Sequence, residues 1–190
     1  MDFHTLYPMK KLIQQYAKDL AAGRLASGYE HSYRIYHLAR EIGEGMEYDD
    51  EILHAACFLH DIEMTFERSQ RSAEKAKAIL QETGFTPGKI NQVYSAILNH
   101  MPESKADCPE GKLLHDANLL DTLGAIGFAR LSIGSFFWHH YTTMDDVIGL
   151  LKRWLGYAEH FYFPKSSELA KEKIAFLKLA LAQFDKEYNL

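Results

Sequence analysis

Apolar residues recur three or four positions apart along almost the whole 190-residue chain, and strict alternation over strand length is hard to find. The stripe Ile174, Leu177, Leu181 and Phe184 near the C-terminus is typical. The pattern predicts an all-α fold, a helical bundle of about seven or eight helices. The predicted helices run from after Pro8 to near Gly23, then over 29–42, 51–60, 72–83, 87–100, 112–133, 143–157 and from 165 onward.

One predicted helix, residues 51–60, is apolar on nearly all sides, which indicates a central, buried position. With 47% hydrophobic residues, a chain of 190 residues can bury a sizeable core. No internal repeat, low-complexity tract or interdomain linker stands out. We therefore expect residues 1–190 to form a single domain.

Charge and cysteine content exclude several functional classes. The formal net charge of −5 and the pI of about 6.0 give no basic footprint for nucleic acid, so no nucleic-acid polymer is expected as a partner. Cys57 and Cys108 lie in different contexts, which argues against a disulfide framework and for a reducing compartment. No apolar segment approaches the roughly 18 to 20 residues of a membrane span, and no secretion signal opens the chain. We expect a cytoplasmic protein without a membrane partner.

Histidines and acids at wide intervals carry the functional signal. His31 opens one predicted helix, His60-Asp61 follows the apolar run of another, and His100 ends a third. An acid-amide-acid cluster follows at Asp116-Ala117-Asn118-Leu119-Leu120-Asp121. An imidazole and a carboxylate are costly to bury side by side unless a cation binds them. Mixed nitrogen and oxygen ligands suit a divalent metal ion, with Mn, Ni, Co, Fe, Zn and Mg as the candidates.

Helical geometry limits where such an ion can lie. His60 and Asp61 point about 100° apart on a helix, so both reach one ion only near the helix end. His31 and the segment 116–121 could then close the coordination sphere. An ion with open positions can lower the pKa of a bound water from about 16 towards roughly 7, and it also polarises phosphoryl oxygens. That chemistry is hydrolysis.

The ordered series His31, His60-Asp61, His100 and the segment 116–121 resembles the HD superfamily of metal-dependent phosphohydrolases. The resemblance spans about residues 28–131, the motif-bearing core, and leaves the helices of residues 143–188 outside it. It implies an all-helical fold with His31, His60 and Asp61 as metal ligands. It also implies a small phosphorylated substrate, since the family's hydrolases act mainly on phosphomonoesters, nucleotides and phosphodiesters.

The stretch Asp116 to Arg130 is the most specific part and is similar to small stand-alone bacterial HD proteins. That subgroup usually reads Asp-Ala-Asp, and the second acid would complete the metal sphere. Here Asn118 stands in its place and offers only a neutral carbonyl oxygen. Asp121, about 60° round the helix, is the better substitute, whereas Asp116 faces roughly the opposite side. Asn118 and Asp121 therefore join the predicted metal ligands.

Three further roles are predicted. Asp61 and His100 are the candidate catalytic residues, although His100 could instead bind a second ion or cap its helix. Arg34 lies one turn after His31 and is the candidate substrate-binding residue, as a fork for phosphate; the alternative is a structural salt bridge.

The leading prediction is a divalent-metal-dependent phosphohydrolase that acts on a phosphomonoester or a nucleotide-like substrate. Asn118 motivates an alternative, a catalytically silent HD-fold module that binds a nucleotide or a metal. The ligand types also suit an iron-dependent oxygenase on the same scaffold. Whether the chain forms a homodimer is left open.

Overall fold

The computed structural model describes residues 3–64, 67–138, 140 and 142–188. Over these residues the chain forms nine α-helices and no β-strand, which confirms the predicted all-α class. The helices are α1 (Phe3–Leu20), α2 (Tyr29–Ile42), α3 (Asp50–Leu59), α4 (Arg68–Glu82), α5 (Pro87–Leu98), α6 (Pro109–Asp121), α7 (Gly124–Trp138), α8 (Met144–Tyr157) and α9 (Pro164–Tyr188).

Helix α3 lies at the centre of the bundle, as its apolar sequence predicts. Every residue from Glu51 to Leu59 is buried, and α3 packs against α1, α2, α5 and α6. The carboxylate of Asp49 caps the helix by accepting hydrogen bonds from the backbone N–H groups of Glu51 and Ile52. One cluster of buried apolar side chains contains members of all nine helices. The central position of α3 brings its C-terminal end, where His60 and Asp61 follow, into the interior.

The predicted helix 112–133 is wrong, because the chain turns between α6 and α7. The two helices meet at an angle of 84°. Gly124 adopts a φ of +73°, a left-handed conformation that few residues other than glycine tolerate. This break raises the number of helices from the predicted seven or eight to nine. The turn also carries Arg130, on α7, back towards Ala26, which lies ahead of α2.

Helix α1 begins at Phe3, ahead of Pro8, whereas the sequence predicted a start after the proline. Pro8 lies in the second turn of α1 and has no backbone N–H, so the helix lacks the hydrogen bond that this residue would donate to the carbonyl four residues earlier. None of the described helices is by itself long and apolar enough to cross a membrane; only α6 and α7 together pass that test, and they are bent.

Candidate metal centre

His60 is held at the end of α3 by a backbone carbonyl. Its Nδ1 atom lies 2.9 Å from the carbonyl oxygen of Cys57, three residues earlier. A carbonyl only accepts, so we assign the ring proton to Nδ1, and the Nε2 atom carries a lone pair. The His60 side chain is fully buried.

His31, in the first turn of α2, has the same protonation pattern from a different partner. Its Nδ1 atom donates to the carboxylate of Asp121 at 2.8 Å, which leaves a lone pair on Nε2. The Nε2 atoms of His31 and His60 lie 3.1 Å apart. Two lone pairs at this distance repel each other unless a cation lies against both. Two metal–nitrogen bonds of about 2.1 Å each can join nitrogens up to about 4.2 Å apart, so one metal ion could be held by both imidazoles.

Asp61 offers a third candidate ligand atom. Its Oδ2 atom lies 3.7 Å from the Nε2 atom of His31 and 3.7 Å from that of His60. The ligand atoms of the three residues all lie within 4.8 Å of one another. The Oδ1 atom of Asp61 is buried and has no hydrogen-bond partner among the described residues. A buried carboxylate oxygen without a partner is costly, and a cation would remove that cost.

The protonation states suit metal binding. Burial, helped by the charge of Arg130, lowers the pKa of His31 to about 3. Burial also lowers the pKa of His60. Burial would raise the pKa of Asp61, but His60 and Arg68 together hold it well below its ordinary value. At neutral pH the cluster therefore presents two neutral imidazoles and one carboxylate, the forms that bind a metal ion.

His100, at the end of α5, lies beside this cluster. Its ring centroid is 5.1 Å from that of His60, and its Nδ1 atom donates to the carbonyl of Ile97 at 2.6 Å. The Nε2 atom is buried without a partner in the described part of the chain. Burial and the neighbouring His60 lower the pKa of His100 to about 3. His100 is thus a neutral imidazole whose free lone pair is available for a water, a substrate or an ion.

Asp121, predicted as a metal ligand, lies behind His31 instead. One of its oxygens accepts from His31, Arg34 and Arg130, and the other accepts from Arg34 at 2.8 Å. Both oxygens are therefore occupied by donors of the protein. A carboxylate in this position orients the imidazole and strengthens it as a ligand.

Arg34, predicted to bind phosphate, uses its fork on Asp121. Its Nε and Nη2 atoms donate to the two carboxylate oxygens at 2.8 and 3.0 Å. This is the structural salt bridge that the sequence left as the alternative. Arg130 also binds Asp121, through both its carboxylate and its backbone carbonyl, and it donates to the carbonyl of Ala26. Helical periodicity does not predict that Arg130 reaches the site, because the turn at Gly124 brings it there.

The other two polar residues of the segment 116–121 are Asp116 and Asn118, and as predicted they face different sides of α6. Asp116 is fully buried away from the cluster, and its carboxylate accepts hydrogen bonds from the backbone N–H groups of Tyr162 and Phe163, ahead of α9. Asn118 lines a cavity that also contains Asp61. The other lining residues of this cavity are Arg68, Thr122, Arg130, Leu131, Gly134, Leu150 and Trp154.

Several solved structures have the same fold as this chain. The chain is similar to a protein from Lactobacillus plantarum (20% identity, TM-score 0.82, covering 96% of this chain and 97% of that one). It is also similar to Bacillus subtilis YpgQ in complex with ADP (23% identity, TM-score 0.71, 94% and 97% covered). A third similar structure is an HD-superfamily hydrolase from Bacillus thuringiensis (22% identity, TM-score 0.72, 97% and 98% covered). At these identities the likeness establishes the fold.

A search of curated proteins gives no significant match. The family model of the HD domain matches residues 28–123, just over half of the chain, and includes His31, His60, Asp61 and Asp121. The chain therefore belongs to the HD domain family, and its fold is that of the HD-superfamily hydrolases.

Proposed function

We propose that this protein is a divalent-metal-dependent phosphohydrolase that acts on a phosphomonoester or a nucleotide. The observation that carries the proposal is the distance of 3.1 Å between the Nε2 atoms of His31 and His60, which we assign as unprotonated. Beside them lies the carboxylate of Asp61, one of whose oxygens is buried without a partner among the described residues. Acyl or glycosyl transfer would need a nucleophile or a carboxylate pair, whereas this donor set binds a metal ion.

Each residue of the cluster has a defined task in this proposal. His31, His60 and Asp61 would hold the ion, which when bound supplies an acidic water and polarises a phosphoryl oxygen. Asp121 keeps the proton of His31 on Nδ1, so that Nε2 stays available. His100 is neutral, and its Nε2 lone pair would accept a hydrogen bond from the attacking water.

The cavity beside Asp61 supports a phosphorylated substrate. Its volume of about 30 Å³ is roughly the space of two or three water molecules, so only a small group such as a phosphoryl group would fit and the rest of a substrate would lie outside it. Apolar side chains of α7 and α8, among them Trp154, line the same cavity as Asp61 and Arg68. The similar YpgQ structure is a complex with ADP, which favours a nucleotide.

Asn118 favours a second candidate, a module that binds metal and nucleotide without turnover. With Asn118 in place of an acid, the ligands of the ion carry the single negative charge of Asp61. A site with less negative charge holds a divalent ion more weakly. Under this alternative the protein binds ADP in the presence of metal and releases no phosphate.

The test is metal analysis of protein purified without chelator, followed by a panel of nucleotides, phosphomonoesters and phosphodiesters in added Mn²⁺, Ni²⁺ or Co²⁺. We expect bound metal and phosphate release, both abolished by His60→Ala. His37→Ala is the matched control, because His37 is an exposed histidine on α2. A wild-type protein that binds no metal and hydrolyses nothing refutes the proposal, while ADP binding without hydrolysis favours the silent module.

A further inference from the structure

Besides Arg24, which donates to the backbone carbonyls of Asp61 and Ile62, three arginines lie around the cluster, and two of these three are already occupied. Arg34 uses two N–H groups on the carboxylate of Asp121. Arg130 donates to Asp121 and to the carbonyl of Ala26, and its side chain is only 11% exposed. Neither has its full fork available for a ligand.

Arg68 differs from both. It opens α4 and lines the cavity together with Asp61. Its side-chain partner is the thioether sulfur of Met101, 3.6 Å from Nη2, which is a weak acceptor. Among the described residues no carboxylate pairs with Arg68. The half-buried Arg68 side chain therefore has most of its N–H donors unused at the wall of the cavity that contains Asp61.

Once a divalent metal ion is bound, the net charge around the cavity is positive and favours an anionic ligand. The ligand set contributes one negative charge, from Asp61, because Asn118 is neutral and Asp121 is paired with two arginines. A divalent ion leaves this side with net positive charge, and Arg68 adds one more. A phosphoryl group carries about two negative charges and offers oxygens to both an ion and a guanidinium fork. Its oxygens can match the fork in a bidentate manner.

We propose that Arg68 binds the phosphoryl group of the substrate and holds it against the ion, the role that the sequence predicted for Arg34. This inference rests on the proposed function. A phosphoryl group held by Arg68 also supplies the negative charge that Asn118 lacks. Phosphate and metal ion therefore bind cooperatively, each raising the affinity for the other by the same factor.

The experiment measures Mn²⁺ binding by calorimetry with and without inorganic phosphate, and then phosphate binding to the Mn²⁺-loaded protein. In wild type, phosphate should tighten Mn²⁺ binding by about tenfold. Arg68→Gln should leave Mn²⁺ binding without phosphate within about twofold and weaken phosphate binding by about tenfold or more. Arg68→Lys should be intermediate, because a lysine keeps the charge and loses the fork. Arg71→Gln, an exposed arginine one turn along α4, is the control and should match wild type.

Three results overturn the inference while leaving the proposed function intact. One is wild-type phosphate affinity and wild-type KM in Arg68→Gln. Another is a loss of Mn²⁺ binding without phosphate that equals the loss of phosphate binding, which would mean that Arg68 acts only on Asp61. A wild-type protein that hydrolyses phosphoesters but shows no coupling between Mn²⁺ and phosphate also contradicts it. If wild type binds no Mn²⁺ and hydrolyses nothing, the proposed function itself fails.

Discussion

The Nε2 atoms of His31 and His60 face each other at 3.1 Å although neither carries a proton to share. Each ring is fixed in this state from behind, His31 by Asp121 and His60 by the carbonyl of Cys57. The arrangement is unfavourable for two neutral acceptors and favourable for a pair of metal ligands. The hydrogen bonds that hold the two rings offset the repulsion between the facing lone pairs.

The carboxylate behind His31 should set the metal affinity. Asp121→Asn removes the charge that orients the imidazole, so we expect the dissociation constant for Mn²⁺ to rise by about 10- to 100-fold. Isothermal titration calorimetry measures this directly. Asp116→Asn is the control on the same helix, because that carboxylate binds only His115 and the backbone ahead of α9 within the described residues. It should lower the free energy of unfolding and leave the Mn²⁺ affinity of the folded protein unchanged. Equal affinities in the two variants would contradict the role of Asp121.

The two arginines on Asp121 should differ in their effect on stability. Arg130 is nearly buried and ties α7 to Asp121 and Ala26, whereas the Arg34 side chain is 33% exposed. Removing one partner of a buried ion pair costs about 3–5 kcal/mol, and an exposed partner costs less. We expect Arg130→Gln to lower the free energy of unfolding by about that amount, and Arg34→Gln by about 1–2 kcal/mol. Denaturant unfolding checks the order. Arg34→Gln should also keep near-wild-type phosphate affinity, and a large loss there would restore the sequence-based prediction for Arg34.

Helical periodicity was sufficient to predict the fold class and the central place of α3, because both follow from which faces are apolar. The sequence also indicated His31, His60 and Asp61 as candidate metal ligands, because two follow an apolar run and one opens a helix. The structure brings their ligand atoms within 4.8 Å of one another. Their convergence agrees with the family resemblance.

The roles of Asp121 and the arginines could not be read in the same way. Helical geometry places Asp121 near Asn118, but only the packing of α2 on α6 decides that it meets His31 from behind. Arg130 reaches the site through the 84° bend at the end of α6, which the apolar pattern of residues 112–133 conceals. Arg68 stands in a polar stretch that has no periodic signal.

An acid at residue 118, where small stand-alone bacterial HD proteins usually have one, should raise the metal affinity and lower the stability of the metal-free protein. Asn118→Asp adds a second negative charge to the cavity that contains Asp61, so we expect Mn²⁺ to bind more tightly, by about tenfold. Without metal, two nearby buried carboxylates repel, and the melting temperature should fall below that of wild type. Thermal unfolding with and without Mn²⁺ measures both effects. Equal Mn²⁺ affinity in the two proteins would show that residue 118 lies outside the reach of the ion.

Stability without metal should decrease as the pH falls. Burial lowers the pKa of His31, His54 and His100 to about 3, against about 6.5 in the unfolded chain. Below pH 6.5 the unfolded state therefore binds protons that the folded state does not, so the free energy of unfolding falls between pH 6.5 and about 3. Each histidine contributes up to about 1.4 kcal/mol per pH unit. His54 lies apart from His31, His60 and Asp61. His54→Leu should therefore reduce the slope of the free energy of unfolding against pH by the contribution of one histidine. Denaturant unfolding at several pH values measures the slope, and an unchanged slope in this variant contradicts the assignment.

The bend between α6 and α7 should depend on glycine at residue 124. Gly124 has a φ of +73°, and a Cβ atom there would lie 3.1 Å from Cγ of Lys173 on α9. Gly124→Ala therefore meets both an unfavourable backbone conformation and a crowded neighbour, and we expect the free energy of unfolding to fall by about 1–2 kcal/mol. Gly149→Ala is the matched control, because Gly149 lies within α8 and a Cβ there meets nothing within 4 Å. That variant should gain about 0.5–1 kcal/mol from higher helix propensity. Since Arg130 depends on the bend to reach Asp121, Gly124→Ala should also weaken Mn²⁺ binding, and Gly149→Ala should not. Two variants with the same stability and the same Mn²⁺ affinity would show that the bend forms without help from glycine.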